Sequence, residues 1–259
     1  MRIALGVEYD GADFLGWQRQ SRGRTVQGCV ETAVARVADH AVHVVCAGRT
    51  DTGVHATAQV IHFDTDALRN PGNWVRGANS HLPADARIQW AMQTGDDFHA
   101  RFSARRRHYR YVIHNGTAAS ALLRQRVCQE RLPLDDGLMQ AAAQHLLGEH
   151  DFTSLRAAAC QAKSPVRTVY RLDLSRSGEW VYIDIVANAF LHHMVRCIAG
   201  MLISVGRGEQ APDWVREVLD ARDRTQAGVN APPGGLYLAG VEYVGELALP
   251  RASWLPVYG

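Results

Sequence analysis

A nine-residue polar stretch between two apolar runs constrains this chain more than any other part of its sequence. Residues 48–56 read GRTDTGVHA and combine an acid, a base, two hydroxyls and two glycines. The runs on either side, residues 42–46 and 60–63, have the composition of β-strands. Glycine permits backbone angles that are closed to other residues, so the stretch can turn tightly. The sequence therefore predicts a strand-to-strand loop with Asp51 at the tip of its turn.

Asp51 has a structural explanation and a misleading functional one. An Asp followed by Thr and Gly is common in turns, where the carboxylate bonds its own backbone, and that explanation stays open. The tripeptide Asp51-Thr52-Gly53 is also found in aspartic proteases, whose mechanism needs two carboxylates that share a proton. No second Asp-Thr-Gly or Asp-Ser-Gly occurs, and Arg49-Thr50 replaces the apolar residues expected before the tripeptide. An aspartic protease is therefore excluded.

Length and composition indicate a globular protein with a sizeable core. The 259 residues suffice for two ordinary domains or one large domain, and 47% of them are hydrophobic. The sequence has no run of eighteen apolar residues and no apolar core of a signal peptide after Met1. The five cysteines form no Cys-x-x-Cys pair, so we expect neither a zinc site nor a disulfide framework. We expect a soluble cytoplasmic protein with no membrane partner.

The apolar periodicity predicts the order β-α-β-β-α-β in the first half of the chain. Thr25 is placed to cap the first helix and Pro71 to open the second. The predicted strands lie at residues 3–9, 42–47, 59–63 and 88–92.

The second half repeats this order without obvious sequence repetition. Strands are predicted from Tyr109, at 166–174, at 180–186 and at 236–243, with a turn at 175–178. Helices are predicted from Asp135 and over 190–205. The fold class is therefore α+β, with two split βαβ (ferredoxin-like) halves. We place the halves at residues 1–103 and 104–259.

Basic residues are clustered although the formal net charge is only +2. Lys163 is the one lysine among 28 basic residues, so 27 are arginines. One cluster comprises Arg101, Arg105, Arg106, Arg107 and Arg110, and another Arg19, Arg22 and Arg24. A solvated surface explains either cluster equally well. The interleaved aromatic residues 108, 109 and 111 favour RNA, because unpaired bases stack on aromatic rings and guanidinium groups bind phosphate.

The loop and an ordered series of further motifs resemble the TruA-type tRNA pseudouridine synthases. The loop matches as Gly48-Arg49-Thr50-Asp51-x-Gly53-Val54-His55-Ala56. The other matching stretches are GWQRQ at 16–20, FHARFSA at 98–104, YRY at 109–111, GEHDFTS at 148–154 and NAFLHHMVR at 188–196. This series covers nearly the whole chain. One departure is Thr52, where alanine is expected and where a buried hydroxyl needs a partner.

The resemblance implies isomerisation of uridine to pseudouridine at positions 38–40 of the tRNA anticodon stem-loop by a homodimer. It also implies that the halves join into one largely antiparallel sheet, with helices on one face and a basic cleft on the other. It assigns Asp51 as the catalytic residue, Tyr109 to stacking beneath the uracil, Arg196 to supporting ionised Asp51, and Arg49 to holding the target nucleotide out of its stack. The residues expected to contact RNA are Gln18, Arg19, Arg24, His55, Arg101, Arg105, Arg107 and Lys163. For His55, support of the loop is the other interpretation.

The implied reaction exchanges one bond to the sugar for another without redox change, so we expect no cofactor. The chain has no P-loop and no Gly-x-Gly-x-x-Gly fingerprint, in agreement with that expectation. Asp51 can attack the sugar or abstract a proton from it, and either role requires the ionised carboxylate. His192 and His193 are not expected to share a metal, because adjacent helix residues do not share a face.

Two other classes of protein are compatible with parts of the pattern. A non-catalytic RNA-binding protein would keep the basic cleft and bind tRNA without forming a product. An aspartate-dependent hydrolase would use the same loop on a small substrate and would not need the arginines of residues 101–110.

Overall fold

The protein is a mixed α+β structure in which most strand pairs are antiparallel. A computed structural model describes residues 1–243, 249–250 and 255–258. These residues contain ten β-strands, five α-helices and three short 3-10 helices. The pairing is parallel only for β10 with β3 and β6 with β5 among the registers described. The expected α+β class is confirmed. Within the described ranges, no helix combines the length and the hydropathy needed to cross a bilayer.

Strands and helices are interspersed along the whole chain. The strands are β1 Arg2–Tyr9, β2 Val45–Cys46, β3 His55–Asp64, β4 Ala86–Thr94, β5 Ala104–His114, β6 Cys128–Gln129, β7 Gly148–Asp151, β8 Val166–Ser177, β9 Trp180–Ala187 and β10 Leu236–Tyr243. The α-helices are α1 Val26–Ala38, α2 Pro71–His81, α3 Asp136–Gln144, α4 Met194–Gly206 and α5 Trp214–Ala221. The 3-10 helices are Thr153–Leu155, Arg224–Ala227 and Pro233–Gly235.

The chain divides into two compact units. The first unit comprises Met1–Arg107 with Tyr237–Leu255, and the second comprises His108–Leu236 with Pro256–Gly259. The residues of β10 from 237 onward therefore belong to the unit that contains the N-terminal half of the chain.

The first unit has the predicted order β-α-β-β-α-β from β1 to β4. Its strands pair in the order β4-β1-β3, and both β2 and β10 lie along β3. The Thr25 hydroxyl accepts the N–H of Gly28 as the cap of α1, and Pro71 opens α2. Both predicted helix starts are confirmed. Helix α2 packs its fully buried Trp74 edge-to-face against Phe63 of β3, with ring centroids 5.2 Å apart.

Strand β2 is much shorter than the predicted strand over 42–47. The N–H of Val44 donates to the buried carboxylate of Glu31 on α1 at 3.2 Å, rather than to a neighbouring strand. Pairing of β2 with β3 is confined to Val45 and Cys46. A side chain 13 residues away thus takes the backbone donor that a longer strand would need.

The second unit orders its strands β5-β9-β8-β7, with β6 beside β5. The Asp135 carboxylate caps α3 by accepting the N–H of Leu138 at 2.9 Å, as the sequence predicted. The predicted turn at 175–178 is wrong in extent, because β8 continues to Ser177 and only Gly178 and Glu179 turn. Gly178 has a φ of +57°, a value that glycine adopts without strain.

A buried charge cluster joins β5 to β9 in the second unit. Asp184 is 8% exposed and accepts from His108 at 2.7 Å and from Arg110 at 3.0 and 2.7 Å. Burial raises the pKa of the Asp184 carboxyl, but the hydrogen bonds from His108 and Arg110 outweigh it. The resulting pKa is below the ordinary value. Asp184 is therefore an ionised internal partner for His108 and Arg110.

We predict that Asp184→Asn destabilises the second unit by about 3–5 kcal/mol at pH 7, because it leaves Arg110 buried beside a neutral amide. Since the folded-state pKa is lowered, this stabilisation is complete above the unfolded-state value of about 4 and is lost as the pH falls through the folded-state value. The difference in the free energy of unfolding between Asp184→Asn and the wild type should therefore become smaller below about pH 4. Thermal unfolding followed by circular dichroism measures both effects.

Asp173→Asn is the matched control. Asp173 is an exposed carboxylate on the neighbouring β8 and lies 3.4 Å from Arg171. Exposed ion pairs contribute about 1 kcal/mol at most. Equal losses for the two variants would contradict the assigned role of Asp184.

Candidate active site

The polar loop joins β2 to β3 in the first unit and turns at Asp51. The carbonyl of Asp51 accepts the N–H of Val54 at 3.1 Å, and Gly53 has a φ of +76°. Asp51 is half-buried, whereas Arg49 and Thr52 are exposed. The expectation of a buried hydroxyl at Thr52 is therefore wrong, since water can reach this side chain. The predicted position of Asp51 in a turn between two strands is confirmed.

Gln59 of β3 holds the start of the loop. Its side chain is fully buried, and its amide Nε2 donates to the carbonyl of Gly48 at 2.6 Å. The N–H of Gly48 donates to Gln59 Oε1 at 3.4 Å. One side chain therefore forms hydrogen bonds with both the N–H and the C=O of Gly48. Near the core, these two groups would otherwise need other partners.

Thr50 is held from two sides, immediately before Asp51. Its hydroxyl lies 2.8 Å from the Tyr9 hydroxyl, and its carbonyl accepts the N–H of Trp17 at 3.0 Å. The close approach of residues 16 and 17 needs glycine, because a Cβ on Gly16 would lie 2.7 Å from the Thr50 carbonyl. These contacts fix the backbone from which the Arg49 and Asp51 side chains extend.

His55 supports the other end of the loop. Its ring is 2% exposed and stacks on Tyr237 with centroids 4.7 Å apart. Nδ1 lies 2.9 Å from the Gly11 nitrogen and 3.0 Å from Asp10 Oδ1. These two contacts need opposite protonation of Nδ1, so one is made at a time. Of the two roles left open for His55, these contacts are of the loop-supporting kind.

Arg107 is a buried cation that contacts backbone rather than solvent. Its guanidinium donates to the carbonyls of Ala47, Arg101 and Ala104 at 3.1, 2.7 and 3.1 Å. Ala47 directly precedes the loop, so Arg107 connects the loop to the start of β5. Its predicted contact with RNA would require these bonds to be exchanged for bonds to phosphate.

The other predicted RNA contacts of the first unit are on its surface. Gln18, Arg19, Arg101 and Arg105 are exposed. Arg19 lies 3.2 Å from Glu31. Arg24 forms a bidentate ion pair with Asp85. The Arg24 guanidinium also lies over the Phe14 ring, 4.1 Å from its centroid. The hydrogen bond to Asp85 raises the pKa of Arg24 further. Acidic partners thus offset part of the charge of the 19–24 cluster.

The second unit carries the remaining predicted site residues. Tyr109 of β5 is 7% exposed and meets Phe190 edge-to-face at 4.9 Å. Arg196, in the first turn of α4, donates Nε to the carbonyl of Ala231, whose N–H donates back to the carbonyl of Arg196, both at 2.9 Å. Lys163 is exposed in the loop before β8.

The predicted helix over 190–205 begins later, at Met194, because His193 has a left-handed φ of +65°. The argument from helix faces therefore does not apply to His192 and His193. Their ring centroids lie 4.0 Å apart.

Sequence reasoning missed Gln59, Tyr9 and Gly16 as loop supports. Gln59 offered a signal, because it is a polar amide directly before the apolar run 60–63 and three residues after the loop. Tyr9 and Gly16 offered none, since their contacts with Thr50 join residues more than 30 positions apart.

Comparison with known proteins finds close relatives over nearly the whole chain. A family model described as tRNA pseudouridine synthase matches residues 6–103 and 142–244. A protein of Nitrosococcus oceani named tRNA pseudouridine synthase A is 55% identical over 98% of this chain and 98% of its own length. Proteins of the same name from Aeromonas hydrophila and Alcanivorax borkumensis are 54% and 53% identical, over 99% and 98% of this chain and 97% of their own lengths.

We predict that Gln59→Ala loosens the loop, because the N–H and C=O of Gly48 lose their partner at a cost of about 1–3 kcal/mol. Amide hydrogen exchange of residues 48–54, followed by mass spectrometry, should become faster. Gln59→Glu should do the same, since a carboxylate has no donor for the Gly48 carbonyl. Gln89→Ala, an exposed glutamine on β4, is the matched control. Unchanged exchange in both Gln59 variants would show that the hydrogen bonds between Gln59 and Gly48 do not hold the loop.

Proposed function

This chain belongs to the tRNA pseudouridine synthase family, and from that membership we propose which residues act and on which uridines. Its reaction is the isomerisation of uridine to pseudouridine in tRNA. We propose that the targets are positions 38–40 of the anticodon stem-loop and that Asp51 is the catalytic residue. The observation that carries the assignment is the anchored loop of residues 48–56, which lies inside the matched family region.

The reaction sets the demands that this loop must meet. The bond between N1 of uracil and C1′ of the ribose breaks, the base turns, and a bond forms between C5 and C1′. The hydrogen on C5 leaves as a proton and N1 gains one, so atoms balance without an oxidant. A carboxylate can attack C1′ or remove a sugar proton, and either task needs it ionised and precisely placed. The contacts of Thr50 and Gly48 hold the backbone before Asp51 and support such a placement.

The roles of the other site residues follow from the family resemblance. Arg49 is exposed beside Asp51 and is proposed to hold the target nucleotide out of its stack, which costs a few kcal/mol. Tyr109 is proposed to stack beneath the uracil, and the edge-on contact with Phe190 supports a fixed ring orientation. Arg196 is proposed as the cation that favours ionised Asp51, and the bond of its Nε to Ala231 fixes the base of its guanidinium.

RNA binding is proposed for the exposed residues Gln18, Arg19, Arg101, Arg105 and Lys163. His55, Arg24 and Arg107 were predicted to bind RNA as well, and their contacts within the protein support structural roles. We further propose that the protein acts in the cytoplasm as a homodimer, as the resemblance implies. Sedimentation equilibrium tests the dimer, and the mass of a single chain, 28.6 kDa, at micromolar concentration would refute it.

The finer architecture is also a proposal. We propose two ferredoxin-like halves. In the first unit, the element order supports this proposal, as does the strand order β4-β1-β3 with β2 on the far side of β3. Joined sheets with a basic cleft, and the functional division at 103/104, stay predictions. A crystal structure of the protein with tRNA would test all three.

We predict that Asp51→Ala lowers tritium release from C5-tritiated uridine in unmodified tRNA by at least about 100-fold, because no other group takes over its task. Binding of the tRNA should be largely retained. Asp13→Ala, which removes an exposed carboxylate from the same unit, should release tritium at the wild-type rate. Substantial turnover by Asp51→Ala would refute the assignment.

We also predict that the double variant Arg101→Gln, Arg105→Gln weakens tRNA binding and flattens its salt dependence. Each lost phosphate contact should reduce the slope of log K against log salt by about 0.7–0.9. Filter binding at several salt concentrations measures the slope. Arg36→Gln, on the exposed side of α1, should leave it unchanged. An unaltered slope in the double variant would place these arginines away from the RNA.

A further inference from the structure

Phe102 is a large aromatic side chain on the surface of the first unit. It is 74% exposed. Single exposed apolar residues are ordinary, so exposure alone indicates nothing. The Phe102 ring, however, is stacked on the His99 ring with centroids 4.3 Å apart and planes inclined by 28°. Because His99 covers one side of the ring and most of the residue is exposed, much of the ring remains accessible to solvent.

The turn that presents Phe102 is held in one conformation. Nδ1 of His99 accepts the N–H groups of Arg101 and Phe102 at 3.2 and 3.1 Å. The N–H of His99 donates to Ser103 Oγ, and the N–H of Ser103 donates to the carbonyl of His99, both at 2.9 Å. A ring on such a turn loses little conformational entropy when it binds a ligand.

Contacts from outside the turn fix it further. The Arg107 guanidinium donates to the carbonyl of Arg101, and the Tyr243 hydroxyl donates to the carbonyl of Ala100 at 2.7 Å. His62 lies beneath His99 with ring centroids 4.7 Å apart. Burial, with Arg2 and Arg101 contributing, lowers the pKa of His99, and burial lowers the pKa of His62 to about 4. Both imidazoles are therefore neutral at pH 7, which agrees with Nδ1 of His99 acting as an acceptor.

Arginines lie near the Phe102 ring in space or in sequence. The guanidinium carbon of Arg101 lies over the ring, 5.5 Å from its centroid. Arg105 and Arg106 are exposed a few residues further along the chain, and Arg106 lies 3.6 Å from Glu242. Aromatic rings beside arginines form the sites on which single-stranded bases stack while their phosphates are neutralised. An apolar protein partner would gain nothing from these positive charges.

We propose that Phe102 is a stacking platform for an unpaired base of the tRNA substrate, with Arg101 and Arg105 binding the adjacent phosphates. The proposal rests on the proposed function, since it takes tRNA as the ligand. It adds Phe102 as a base contact to a cluster in which the sequence indicated stacking only at residues 108, 109 and 111. Stacking on His99 and the hydrogen bonds of the turn hold the Phe102 ring in position before RNA binds.

The test is equilibrium binding of an unmodified tRNA transcript by filter binding. Phe102→Ala should weaken binding at least about fivefold, the lower end of what one stacked base contributes. Phe102→Trp, which keeps a stacking face, should bind as the wild type or more tightly. Leu68→Ala is the matched control, because Leu68 is a 78% exposed apolar residue of the same unit, and it should not change the affinity.

The salt dependence separates stacking from charge. In Phe102→Ala the slope of log K against log salt should equal that of the wild type, whereas Arg105→Gln should reduce it. Equal affinities of Phe102→Ala and Leu68→Ala would overturn the proposal. A reduced slope in Phe102→Ala would also overturn it, because the ring would then act by placing the arginines.

Two further measurements distinguish the stacking platform from a contact between chains and from a failure of the proposed function. A change in sedimentation mass on Phe102→Ala would mean that the ring contacts a second copy of the chain, which would overturn the platform. Tritium release by the wild type with unaltered binding by Phe102→Ala would refute the platform and leave the proposed function intact. Absence of release by the wild type with several tRNAs would refute the function itself.

Discussion

The two hydrogen bonds between the buried Gln59 amide and the backbone of Gly48 are the interaction on which the candidate site depends. A loop that returns to the core brings peptide groups away from water, and each needs a partner. Gln59 supplies a donor and an acceptor from a rigid strand, so the loop begins at a defined point. Tyr9 and Trp17 then fix Thr50, and the next residue is Asp51. The backbone that leads into Asp51 is thus held by neutral hydrogen bonds to Gly48 and Thr50.

Arginine serves two purposes in this protein. Arg107 and Arg110 are used internally, where the planar guanidinium reaches several acceptors at once. Arg101 and Arg105 remain exposed and are available to an anionic ligand. A cluster of five arginines in ten residues therefore separates into a framework and a surface. Strand alternation does not decide which residue belongs to which, because the adjacent Arg105 and Arg106 are both exposed.

The sequence predicted correctly those features that depend on neighbouring residues. It carried no signal for contacts between residues that are distant in sequence. The caps at Thr25 and Asp135 and the start at Pro71 involve residues within three positions of each other, so they could be predicted from the sequence. Strand β2 was predicted too long because Glu31 on a distant helix takes the N–H of Val44. Helix α4 was predicted four residues too early because the left-handed turn at His193 is not visible in the apolar pattern. Each error arose where a contact distant in sequence, or a backbone angle, overruled local periodicity.

The sequence by itself determined that the polar stretch 48–56 is a loop between strands, that Asp51 lies in its turn, and that the loop belongs to a tRNA pseudouridine synthase. These conclusions need only residue types and their order. The tertiary structure alone decided that Gln59, Tyr9 and Arg107 hold the loop, that His55 at its end is buried, and that the exposed Phe102 is stacked on His99. The physical reason is that a polar or aromatic side chain acquires its role from the partner the fold brings to it. Arg107 reaches Ala47 across 60 residues of sequence.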